Sequence, residues 1–155
     1  MATETWVPVS AAGFTMEMPA EPVEETFEAP SAVGPISVDT WLVEEEDSAV
    51  AFAVNDLPEE STASGPDPVL QGAVNGAASN LGGTVVSDVA VEGLDYPARD
   101  AEITATSEGT DVVVFLRAAL IDNQLIQMQS LGPADSRDQI EAAFDRLVES
   151  FAVGG

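Results

Sequence analysis

The chemistry open to this chain is that of carboxylates. Its 155 residues hold 28 Asp and Glu, four arginines (Arg99, Arg117, Arg137 and Arg146), and no histidine, cysteine or lysine. Without His or Cys no Ser-His-Asp or Cys-His arrangement can form. Without lysine there is no Schiff base and no Ser-Lys dyad. Transition-metal sites built on His or Cys are closed as well. No glycine-rich phosphate loop and no EF-hand spacing occurs. Hard cations remain, because they take oxygen ligands. Glu44, Glu45, Glu46 and Asp47 sit at a hairpin tip and could collect a weak Ca2+. Adjacent acids on a strand point to opposite faces, so at most half of them can converge on one ion. The ordinary reading of the run is a solvated acidic turn. Arg99 is the second candidate, an anchor for an anion or carboxylate at the mouth of a cleft. Its ordinary reading is a half-buried structural arginine paired with a nearby carboxylate. Trp41 and Phe52 are the apolar candidates that would line such a cleft between a helix and a sheet. No particular pair of carboxylates stands out as acid and base, so the chain is read as non-catalytic, with no cofactor implied.

The elements that position these residues are legible from periodicity. From Tyr96 to Leu131 the chain reads as three strands joined by tight turns at Glu108-Gly109 and Asp122-Asn123, hairpin signals both. If each loop has two residues, Ile103 faces Val114, Ala101 faces Leu116 and Ala105 faces Val112 on one side. On the other side Asp100 faces Arg117, Glu102 faces Phe115 and Thr104 faces Val113. Ile126 and Met128 then share the Arg117 face, and Leu125 and Leu131 the opposite one. Both faces are partly apolar, so a sheet covered by helices on both sides is expected. The Asp100–Arg117 pair would contribute roughly 0.2–1 kcal/mol if exposed.

Upstream, Trp6 to Val9, Phe14 to Met18 and an acidic edge strand from Pro22 to Phe27 precede a loop from Pro30 to Pro35. Ile36 to Val43 and Ala49 to Val54 form a hairpin that sets Trp41 opposite Phe52 and Val43 opposite Val50. Its other face carries Ala49, Ala51 and Ala53, small residues that would admit a helix. After a polar loop, a helix over about 67–82 is expected. Asp67 would be its N-cap and Pro68 its first helical residue. Leu70, Ala73, Val74, Ala77 and Leu81 form its stripe, and Gly82-Gly83 its stop. Gly72 and Gly76 lie one turn apart and would allow close packing on the alanine face. Thr84 to Val91 is a strand leading into the meander. A second helix over about 136–152 opens on a capping-box pattern at Ser136 to Gln139. It carries Ile140, Phe144, Leu147 and Phe151 on one stripe. The whole reads as one α+β domain spanning 1–155.

Composition bounds the partners. Hydrophobic residues make up 45% of the chain, so the acids do not mark a disordered tail. A net charge of −24 argues against nucleic acid and anionic membrane, which both need a positive footprint. No apolar run is long enough to span a membrane. The acids either reflect adaptation to a salty setting or form a docking face for a basic or cation-bridged partner. No signal-like segment opens the sequence. A product made without a leader and one whose leader was replaced by Met1 are both compatible with this, and an extracytoplasmic place is preferred.

Several local motifs resemble a known bacterial group. Gly13 to Pro19 (GFTMEMP) resembles the Gly-Phe opening of proteins with the PsbP-like fold. So do the Pro97-Ala98-Arg99-Asp100 lead into the meander and the closing Leu147 to Phe151. The resemblance spans nearly the whole chain. It implies an α-β-α sandwich around an antiparallel sheet, in a superfamily of mostly non-enzymatic photosystem accessory subunits, secretion chaperones, nuclear-transport regulators and lipoproteins. No shared functional residue set carries over, and the lipobox cysteine of the lipoproteins is absent. The expected function is a non-catalytic accessory module that contacts a protein partner. A small-ligand carrier with a helix–sheet pocket, or an acidic halophilic-type domain with a weak Ca2+ site, are the alternatives.

Overall fold

The computed structural model describes residues 6–11, 13–29, 36–45, 48–57, 63, 65–94, 96–121 and 123–153. Its backbone is a seven-stranded antiparallel sheet in the order β3-β4-β5-β9-β8-β7-β6, with a second sheet in the order β1-β2-β10. The strands of the large sheet are β3 (Val23–Ala29), β4 (Ile36–Glu44), β5 (Ala49–Asp56), β6 (Thr84–Ala90), β7 (Ala98–Ser107), β8 (Thr110–Ile121) and β9 (Gln124–Pro133). The small sheet comprises β1 (Val7–Ala11), β2 (Phe14–Met18) and β10 (Ala152–Val153). Helix α1 (Pro66–Leu81) packs against β6, β7 and β8, and α2 (Arg137–Ser150) against β9, β8 and β2. Strands β1 and β2 thus belong to the small sheet, while β3 extends the main sheet at its edge.

The meander has the register that two-residue turns dictate. Asp100 lies opposite Arg117, Ala101 opposite Leu116, Glu102 opposite Phe115 and Ile103 opposite Val114. Glu108 and Gly109 both have positive φ (52° and 81°), the combination a tight hairpin turn requires. Arg117 in turn faces Met128, and Ala119 faces Ile126. Trp41 faces Phe52 and Val43 faces Val50.

Alternation then divides the core between two faces. On the α2 side, Phe52, Ile126, Met128 and Leu147 are fully buried with Met18 of the small sheet. On the α1 side, Val74 of the helix meets Ile103, Val114 and Leu116, while Leu70 meets Ala118, Leu120 and Leu125. Each fully buried side chain of this size contributes about 1.5–3 kcal/mol relative to exposure. Ser130 is the buried polar residue at the α2 contact. Its hydroxyl donates to the Ile140 carbonyl at 2.8 Å, which satisfies it and pins the helix to β9.

Both helices differ in detail from the sequence expectation. Helix α1 starts at Pro66, with Gly65 (φ 99°) at the N-cap and no side-chain cap bond. Asp67 lies inside the first turn, where its charge still complements the helix dipole. Leu81 is 41% exposed and Ala78 takes the last buried position of the stripe. The helix ends as expected. Gly82 adopts the left-handed conformation, and the amides of Gly82 and Gly83 donate to Ser79 and Ala78. A Cβ on Gly83 would lie 2.6 Å from the Thr104 carbonyl, so glycine allows the chain to close on β7. Gly72 and Gly76 do no such work. They are exposed, and no atom of the described residues lies within 4 Å of a Cβ built on either. The alanine face of β5 also stays partly exposed. The helix sits instead over β6–β8, where larger apolar side chains offer more area to bury.

Helix α2 follows a short 3-10 turn (Ala134–Ser136), and Ser136 makes no side-chain cap bond, so the expected capping box does not form. The helix stops at Ser150. Phe151 is extended, and Ala152 and Val153 pair with β2. Its ring stacks on Phe14 at 5.5 Å and lies 5.9 Å from Phe52. Phe151 therefore joins the core as expected, from a strand-like segment rather than from the helix.

Candidate functional site

Of the three residues expected to share a cleft, Arg99 is held apart from Trp41 and Phe52. Arg99 and Ala98 are neighbours on β7, so their side chains point to opposite faces. Ala98 belongs to the α2-side core together with Trp41 and Phe52, which puts Arg99 on the α1 side. Its guanidinium Nε donates to Asp88 Oδ1 at 2.6 Å, with both side chains about one-fifth exposed. Trp41 and Phe52 lie 5.6 Å apart between ring centres and are 7% and 0% exposed. They are packing residues of a filled core and do not line a cleft with Arg99.

Of the acidic turn, Glu44 and Glu45 are exposed, and the Glu45 amide donates to the Ser48 carbonyl at 2.7 Å. Glu46 and Asp47 lie outside the described residues. Among the described residues no three carboxylates come together in a way that could hold a metal ion.

All four arginines are engaged by carboxylates. Besides Arg99–Asp88, Arg117 pairs with Asp100 through two hydrogen bonds of 2.7 and 3.0 Å. Arg137 pairs with Glu102 and lies 5.0 Å over the Phe115 ring. Arg146 pairs with Glu17 at 3.3 Å and lies 4.8 Å over Trp6. The hydrogen bond to Asp100 raises the pKa of Arg117, with partial burial opposing. The hydrogen bond to Glu102 raises that of Arg137 in the same way. The cations therefore cross-link strands and helices, and the remaining carboxylates dominate the surface.

A shallow groove of about 680 Å³ runs between β2 and α2, lined by Glu17, Ala142, Asp145, Arg146, Glu149 and Ser150. Its floor is tied together by the Glu17 amide donating to Ser150 Oγ at 2.8 Å, and by the Ser150 hydroxyl donating to the Leu147 carbonyl. Three carboxylates and one paired arginine in an open groove offer little apolar area for a small ligand.

The outer edge of β6 is different in kind. Val86 is 57% exposed and Val89 59%, and in sequence the strand is flanked by Leu81 at the end of α1 (41%) and Leu94 (36%). Val23, on β3, is the fifth exposed large apolar residue among those described. The pairing of β6 with β7 shifts between Val85 and Ser87, a bulge that leaves Val86 without a partner in the ladder. Strand β6 has no neighbour on its outer side among the described residues. Its one charged residue, Asp88, is held by Arg99. In sequence, β6 shows only as a strand leading into the meander. The usable signal was the doublet Val85-Val86, which breaks strict alternation as a bulge does.

No protein-family model matches the chain, and no curated protein matches it. Solved structures do. The cyanobacterial PsbP protein of Synechocystis sp. PCC 6803 (CyanoP) superposes with a TM-score of 0.63 at 15% identity, over 98% of this chain and 94% of that one. LpqN of Mycobacterium tuberculosis, involved in cell envelope biogenesis, follows with 0.54 at 15% identity, over 97% and 91%. PA94 of Pseudomonas aeruginosa, a protein of unknown function, gives 0.51 at 10% identity, over 90% and 91%. At these identities the likeness is one of fold, and the fold is PsbP-like, an α+β sandwich as the local motifs implied. No helix among the described residues is long and apolar enough to cross a membrane.

Proposed function

We propose that this PsbP-like domain is a non-catalytic binding module of a bacterial protein, and that it meets a protein partner along the outer edge of β6. The observation that carries the reading is the pair of exposed valines, Val86 and Val89, on an edge strand whose one carboxylate is paired, in a chain of net charge −24. Apolar side chains left exposed on the edge strand of a highly charged chain are what a partner's own apolar residues would cover. The acidic surroundings supply the long-range part. They draw a basic partner and disfavour nucleic acid. LpqN, of the same fold, is involved in cell envelope biogenesis, which supports an extracytoplasmic place for this chain too.

A photo-crosslinking residue placed at position 89, and separately at position 23, tests this in the native host. Discrete crosslinked proteins at position 89 and none at 23 are expected, with the former lost in a Val86→Asp background. Equal crosslinking at both positions, or none at 89, overturns the reading.

A further inference from the structure

We propose that the partner binds by adding an extended segment of its own chain as a further strand beside residues 87–90 of β6. This rests on the reading of the domain as a protein-binding module and specifies how the contact is made. An edge strand presents unpaired amides and carbonyls, and a second chain can pair with them at strand spacing. Such pairing is blocked most simply by charge, and β6 has almost none. Of Thr84 to Ala90, only Asp88 is ionisable, and the Arg99 guanidinium holds its carboxylate at 2.6 Å. The bulge at Val86 interrupts the first half of the strand. From Ser87 to Ala90 the pairing with β7 is regular, opposite Glu102 to Arg99.

The side chains of that regular stretch alternate. Ser87 and Val89 share one face, Asp88 and Ala90 the other. An incoming strand therefore meets Val89, 59% exposed, as its apolar contact. The chemistry of the occupant follows from charge. A second copy of this chain would bring another net charge of −24 to the same edge, which long-range repulsion opposes. The segment that fits belongs to a different protein, is extended, carries an apolar residue to meet Val89 and is net basic.

Short random peptides displayed on phage and selected on the full chain at physiological ionic strength test this. Selected peptides, resynthesised, should be basic with alternating apolar residues. They should bind Val89→Asp about tenfold more weakly than the unaltered chain. A Glu24→Gln variant on the opposite edge should bind them unchanged. N-methylation of alternate peptide amides should abolish binding, whereas methylation of the intervening amides should not. If Val89→Asp weakens binding but N-methylation has no effect at either set of amides, strand addition is wrong while the protein-binding reading stands. If no peptide is selected, or all bind Val89→Asp as tightly, the β6 site itself is wrong. Sedimentation showing a dimer that Val89→Asp dissolves would make the occupant a second copy. The variants sit at exposed positions, and thermal melting confirms that they fold.

Discussion

Among the described residues the seven-stranded sheet has two free edges, and they are built on opposite plans. Strand β3 carries exposed Glu24, Glu25 and Glu28 within seven residues. Strand β6, also seven residues long, exposes two valines and has one carboxylate, neutralised by Arg99. Carboxylates along an edge repel any approaching strand of this acidic chain, a common protection against edge-to-edge association. The β6 edge relies on a bulge that covers only its first half. The β3 edge is thus guarded by charge against a second copy of this chain, and the β6 edge carries little such charge. Since this chain has acids to spare, their scarcity on β6 carries information.

The largest expected effects concern the core under each edge. Phe52→Ala removes a ring that is fully buried on the α2 side, two strands in from β3, and should cost about 3–5 kcal/mol. Ile103→Ala empties the site beside Val85 under α1 and should cost about 2–5 kcal/mol. Urea unfolding measures both. Native-state hydrogen exchange should show β6 loosening preferentially in Ile103→Ala, and equal loosening of β3 would break the distinction between the two halves.

Next comes Asp88→Ala, which strands the half-buried Arg99 and should cost about 1–2 kcal/mol. By contrast, raising the pH tests little of the ion-pair network. The Arg117 pKa is raised by Asp100. Its contribution is therefore complete below the ordinary arginine value and is lost only as pH rises through the higher folded value. Melting between neutral and mildly alkaline pH should show no step from this group.

Gly76→Ala should stabilise the chain by about 0.4–1 kcal/mol, because the position is helical, exposed and, among the described residues, free of neighbours within 4 Å. Denaturant midpoints measure it, and a loss of stability would mean that another surface covers α1. Smaller still, replacing Glu24, Glu25 and Glu28 together by Gln should change stability by less than about 0.5 kcal/mol. It should nevertheless promote self-association through β3 in sedimentation experiments. If it does not, charge is not what guards that edge. Finally, the melting temperature should follow ionic strength equally in NaCl and CaCl2 series. A further rise specific to Ca2+, removed by Glu44→Gln and Glu45→Gln, would instead establish a divalent site at the Glu44 to Asp47 turn.

Much of the fold was legible because local chemistry and register agree. The Glu108-Gly109 turn needs two positive φ angles, and once that turn is set the pairing of Asp100 with Arg117 follows by counting. The Trp41–Phe52 pairing followed from the hairpin in the same way. The candidate site was far less legible. In the sequence Arg99 stands out as a charged residue at the end of an apolar face, but its partner Asp88 lies on a neighbouring strand whose register is shifted by a bulge. Nor does the sequence separate Trp41 and Phe52 from Arg99, because a pattern of alternation assigns sides only within a strand. It does not say which side of a hairpin matches which side of the meander.

By itself the sequence determined the chemistry this protein lacks, the alternating strands, the two helices and the pairing across tight turns, because these depend on residue type and on neighbours close along the chain. Tertiary structure decided where α1 settles, that Phe151 leaves its helix to stack on Phe14, and that β6 ends the sheet. Those outcomes depend on which large apolar surfaces, distant in sequence, bury the most area when they meet. The exposure of Val86 and Val89 is a consequence of the same competition, since the edge of a sheet is defined only when every other strand has found its place.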